Sequence, residues 1–119
     1  MAVNLDAQPG ADGVVVKLFA NSPASPRAVP IRSGTLEISA YPGSPGPATL
    51  PPPFHRWMFT PAQLAPHAFT TTLGTGYNLI LDWRPRSFPA DRVTVIARYQ
   101  PDHGPPVISA PSSITASAY

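Results

Sequence analysis

YNLILDW at residues 77–83, RPRSFPAD at 84–91 and RVTVIARY at 92–99 together decide how this chain folds. Tyr77, Leu79, Leu81 and Trp83 alternate with Asn78, Ile80 and Asp82. Val93, Val95, Ala97 and Tyr99 alternate with Thr94, Ile96 and Arg98. In a strand, successive side chains leave on opposite faces, so each run turns one apolar face to a core. The eight residues between them carry proline, and the stretch predicts two antiparallel strands joined as a hairpin by that loop.

Working outward, Gly74-Thr75-Gly76 predicts the turn that leads into this hairpin. Before it, Ala68–Leu73 is β-prone. His55–Thr60 reads as a short strand, with Trp57 and Phe59 on one face and Arg56 and Met58 on the other. Thr60-Pro61-Ala62-Gln63 then starts a helix: threonine caps it, proline takes the first position, and glutamine stands three residues after the cap. Pro66 holds that helix to about a turn and a half. Ile31–Tyr41 predicts a strand with Leu36, Ile38 and Ala40 inward, and Ser33–Gly34 a bulge or turn at its start. Val14–Ala20 predicts another, apolar on both faces. PGSPGPATLPPP, residues 42–53, holds six prolines and two glycines and reads as an extended connector between sheets. After the organising stretch, Pro101–Pro105 makes a turn. Val107–Ala116 then supplies an edge strand interrupted by Pro111.

Short strands, frequent turns and one helical turn give the fold class: all-β, an antiparallel β-sandwich of six to seven strands, immunoglobulin-like or transthyretin-like. At 119 residues it is one domain, 13–119, preceded by a flexible amino-terminal arm over residues 1–12.

Composition narrows the functions. There is no cysteine, so neither a disulfide nor a thiolate chemistry is available. The formal charge is only +2, and seven of the eight basic residues are dispersed arginines, which excludes the clustered basic face of a nucleic-acid binder. No apolar run approaches the ~18 residues of a membrane span. MAVNLDAQPGADG lacks the basic-then-apolar pattern of a signal peptide, so the chain is either cytoplasmic or an exported protein shorn of its leader. The 18 prolines predict slow refolding. With each X–Pro bond cis in ~10% of unfolded molecules, about 15% of chains begin all-trans. A phase of tens of seconds, accelerated by a prolyl isomerase, is expected after long unfolding. A single fast phase in stopped-flow fluorescence would contradict it.

The side chains that carry chemistry are scattered. His55, His67 and His103 have no metal-site spacing, and a zinc site would require three loops to converge. No serine sits in a Gly-x-Ser-x-Gly setting. Asp82 and Asp91 bracket the loop beside Arg84 and Arg92. Loop-bracing ion pairs are the expectation, a catalytic carboxylate pair the alternative. No catalytic residue, cofactor or metal is therefore assigned. Trp57, Tyr77, Trp83 and Tyr99 fall on inward faces and read as core, whereas Tyr41 and Phe54 border the proline-rich connector. Tyr41, Phe54, His55, Arg84 and Arg86 are the candidate contact residues. Partners would be a protein, or a second copy, engaged through strand edges or the arms at 1–12 and 107–116. A glycan stacked on exposed rings is the other possibility.

GTLEISAYPG, WMFTPAQLAPH, GTGYNLILDW and RVTVIARYQPDHGPPVISAPSSI together resemble a group of uncharacterised small proteins of planctomycete-type bacteria. The shared segments correspond here to Trp57–Leu64, Gly74–Trp83 and Val93–Tyr99, and the resemblance covers about residues 13–115. It implies one folded sandwich, often exported or lipoprotein-like, with no activity attached. The expectation is a non-enzymatic interaction or structural module, extracytoplasmic or of the cell envelope, with a carbohydrate-binding module as the alternative.

Overall fold

Val14, Val16 and Leu18, with Leu79 and Leu81, supply one apolar face; Leu36, Ile38 and Ala40, with Val93, Val95 and Ala97, supply the other. All are withdrawn from water, and each large one contributes ~1.5–3 kcal/mol by burial. The computed structural model describes residues 2–9, 13–43, 51–83 and 92–115. Its strands are β1 (Ala2–Pro9), β2 (Gly13–Asn21), β3 (Thr35–Pro42), β4 (His55–Phe59), β5 (Ala68–Thr71), β6 (Gly74–Asp82), β7 (Arg92–Gln100), β8 (Val107–Ile108) and β9 (Ser112–Thr115). Between β4 and β5 lie the helix α1 (Pro61–Leu64) and a 3-10 turn, Ala65–His67. One sheet has the order β1-β2-β6-β5, the other β4-β3-β7-β8, with β9 also on β7. Every strand pairing is antiparallel. The all-β sandwich expected from the alternation is what forms. No helix among the described residues is long and apolar enough to cross a membrane.

The organising stretch is not a hairpin. β6 pairs with β2 and β5, whereas β7 pairs with β3, β8 and β9 in the other sheet. The two apolar faces oppose each other across the core instead of lying side by side. Stacked sheets stand about 10 Å apart, a gap that eight residues span readily. Two tyrosines of this stretch fasten the segment that crosses between sheets ahead of β3. The Ile31 amide donates to the Tyr77 hydroxyl at 2.9 Å, and the Tyr99 hydroxyl donates to the Ser33 carbonyl at 2.6 Å. That segment delays β3, which starts at Thr35 and not at Ile31.

The amino-terminal residues also depart from expectation. Ala2–Pro9 is not a loose arm but an edge strand, in register with β2 from Ala2↔Asn21 to Pro9↔Val14. Val3 and Ala7 are its buried side chains, and β1 lies against β7, β8 and β9. The Ala7 amide donates to Ser112 Oγ at 3.4 Å, bridging the two sheets. This added strand, with the division of the last strand into β8 and β9, accounts for nine strands among the described residues where six to seven were expected. Pro111 lies in the division, and Ser109 fills it: its amide donates to the Ala97 carbonyl, and its Oγ accepts from the Ala97 amide, both at 2.9 Å.

β2 is not covered on both sides: Lys17 is exposed, with Val15 and Phe19 half-buried. The turn before β6 comes two residues earlier than expected, at Thr72–Leu73, and Gly74-Thr75-Gly76 is already strand. Gly76 is required there by a close approach. A methyl at that position would meet the rings of Phe19 and Phe69 at 2.7 Å.

Candidate functional site

The sandwich has two flanks. On one, β1 meets β9. On the other, β4 and β5 are the edges, and a short helical crossing runs between them. Thr60 caps that crossing as its sequence predicts. Thr60 Oγ1 accepts the Gln63 amide at 3.3 Å, and Gln63 Oε1 accepts the Thr60 amide at 2.8 Å. Leu64, at the end of α1, is fully buried and plugs the gap between the sheets.

Because residues 60–67 are spent on this crossing, β5 begins late. Its ladder with β6 runs only from Thr71↔Gly74 to Ala68↔Tyr77. β6 continues to Asp82, so Asn78–Asp82 has β2 on one side and no strand on the other among the described residues. Backbone groups of alternate residues face alternate sides of an antiparallel strand. The Asp82 carbonyl faces the open side, where it accepts from Trp57 Nε1 at 3.3 Å. Ile80 and Asn78 share its parity.

Side chains around this edge are mostly apolar or aromatic, with Asn78 and Asp82 the polar exceptions. Ile80, on the outer face, is 81% exposed. A shallow groove of about 390 Å³ runs beside it, lined by Pro66, His67, Ala68, Phe69, Asn78 and Ile80. Phe69 is held edge-on to Phe19 at 5.7 Å over Gly76, which gives the groove a fixed wall. At the far end, His55 lies against Trp57 with ring centres 4.6 Å apart and planes tilted by 40°, and Phe54 sets its edge on Trp83 at 6.1 Å. The assembly offers backbone hydrogen-bonding groups, an aliphatic surface and aromatic rings, the means of binding an extended chain.

Of the residues picked out by sequence, Phe54 and His55 stand on this flank. Tyr41 stands apart: it pairs with Thr94 and is half-buried on the outer face of the other sheet. Arg84, Arg86, Asp91, Tyr119, the loop at 84–91 and most of the proline-rich connector lie outside the described residues. Tyr77, Trp83 and Tyr99 are buried, as their inward phase predicts; Trp57 packs on the core but stays half-buried. Among the described residues, no three His, Cys, Asp or Glu side chains gather as a metal site would require. Asn78, Ile80, His67 and Phe69 are the residues that sequence reasoning passed over. Ile80 carried a signal, an isoleucine at the outward phase between Asn78 and Asp82. No protein-family model, curated protein or solved structure matches the chain, so this flank is interpreted from its own geometry.

Proposed function

We propose that this protein is a non-enzymatic interaction module that engages a protein partner through the flank between β4 and the second half of β6. The single observation that carries this is Ile80, 81% exposed on the stretch of β6 that outruns β5 and has no strand beside Asn78–Leu81 among the described residues. An unpaired edge next to apolar surface is a liability unless something covers it. The strand order supports an immunoglobulin-like topology, since two sheets of the ABED and C′CFG type have this connectivity. Such a scaffold is used for recognition among many other tasks, and the fold alone decides none of them. The resemblance to exported bacterial proteins, and with it a place at the cell envelope, is part of the same proposal.

A photoreactive benzophenone amino acid at position 80, installed in the producing cell, tests it. Protein adducts formed from position 80, and not from Thr35 on the outer face of the opposite sheet, are expected. Equal labelling from both positions, or none from either, would refute the proposal.

The neighbouring His55 and Trp57 rings support a second reading, a carbohydrate-binding surface, because sugar rings stack on aromatic faces. Titration of a glycan panel against tryptophan fluorescence decides it. A saturable change favours the glycan, and no response across the panel removes it.

A further inference from the structure

We propose that the outer face of the five-stranded sheet is a second contact surface, built for an acidic protein segment that carries aliphatic side chains. The warrant is the charge that the topology gathers. Arg56 is on β4, and Arg92 and Arg98 are on β7, so they are scattered along the sequence. The parity that turns Leu36, Ile38, Val93, Val95 and Ala97 inward turns all three arginines outward, and all three are exposed. β3 lies between β4 and β7. Strand spacing and rise set Arg56 and Arg98 about 12 Å apart, and Arg92 about 20 Å from Arg98 along β7.

Glu37, paired with Arg98, is the sole acid at the outward positions of these strands. Its Oε1 already accepts the Ser39 hydroxyl at 3.1 Å. Three guanidiniums against one carboxylate leave this face cationic. The other outer face has no such excess: Lys17 stands there with Asp6 and Asp82.

Charge alone suits any anion; Met58 and Ile108 decide the class. They are 55% and 62% exposed, at the two ends of the row Met58, Glu37, Arg98, Ile108 that crosses four strands. A nucleic-acid backbone or an anionic polysaccharide brings no aliphatic surface to them. A protein segment with carboxylates set between aliphatic side chains covers both. Arginine fits that partner, because a guanidinium holds a carboxylate through two parallel hydrogen bonds. The footprint runs from Arg92 to this row. Thr35 lies one row past it, about 7 Å along β3, and stays outside.

The test is binding of the whole chain to labelled octapeptides, read by fluorescence anisotropy. A peptide of alternating glutamate and valine should bind, and a lysine–valine peptide should not. Serine in place of valine should weaken binding about threefold or more, through lost apolar contact. Raising salt from about 50 mM to about 300 mM should weaken it about fivefold or more, through screening. Arg56→Gln and Arg98→Gln should each weaken it about threefold or more with melting temperature unchanged, since both alter exposed side chains. Lys17→Gln, on the other outer face, should leave it unchanged. Equal binding of the glutamate and lysine peptides overturns the proposal, and so does failure of the glutamate–valine peptide to bind. Tighter binding of an oligothymidylate overturns it in favour of a nucleic acid. Self-association without peptide that Arg98→Gln abolishes, followed by sedimentation, overturns it in favour of a second copy. The adducts expected from position 80 depend on none of these outcomes, so this inference and the interaction reading above fail separately.

Discussion

The two flanks of the sandwich solve one problem in opposite ways. Each leaves a sheet edge that must be covered, shortened or exposed. On the first flank, β1 runs the full length of β2, buries Val3 and Ala7, and bonds to Ser112 across the layers. On the second, the crossing at 60–67 uses a capped helical turn to plug the gap with Leu64, and β5 is cut to four residues. The first flank is covered by the packing of β1 on β9 and the Ala7–Ser112 bond across the layers, the second by a plug beside a shortened ladder. The difference teaches that an edge is left open by chain economy at a connection as much as by the edge strand's own sequence.

Two isoleucines mark the extremes of this contrast, and substituting each is the sharpest way to break it. Ile38 is fully buried between the sheets. Ile38→Ala should lose about 2–5 kcal/mol in urea unfolding, through lost burial and the cavity left behind. A loss under 1 kcal/mol would mean the core is loosely packed. Next in size is the cap of the crossing. Thr60→Ala removes the acceptor of the Gln63 amide and should cost about 1 kcal/mol. A neutral result would show that Leu64 alone holds the plug in place. The smallest effect belongs to Ile80. Ile80→Ala should change stability by less than about 0.5 kcal/mol, as surface positions do. A loss like that of Ile38 would show that Ile80 is covered in solution.

Much of this was legible in the sequence, for a reason that also sets the limit. Period-two alternation tells which face a residue occupies, so Leu36, Ile38, Leu79, Leu81, Val93 and Val95 were placed inward correctly. It does not tell which strand lies alongside. β6 and β7 therefore read as a hairpin, although they belong to different sheets. β1 carries the same alternation, Val3, Leu5 and Ala7 inward of Asn4, Asp6 and Gln8, but it holds only one large aliphatic side chain besides Val3 and ends at Pro9, so the pattern was passed over. At the flank, Phe54 and His55 were visible as rings beside a proline-rich stretch, and the Thr60 cap was visible as a motif. The open edge was not. It depends on how many residues the crossing consumes before β5 can pair, a tertiary property that no local pattern encodes.

Residue-resolved hydrogen exchange of the free protein tests the open edge most directly. Leu79 and Leu81 aim their amides at β2 and should exchange only on global unfolding. The amide of Ile80, between them and facing the other way, should exchange orders of magnitude faster. Equal protection at all three positions would mean that something already lies along β6, and the open flank would have to be given up.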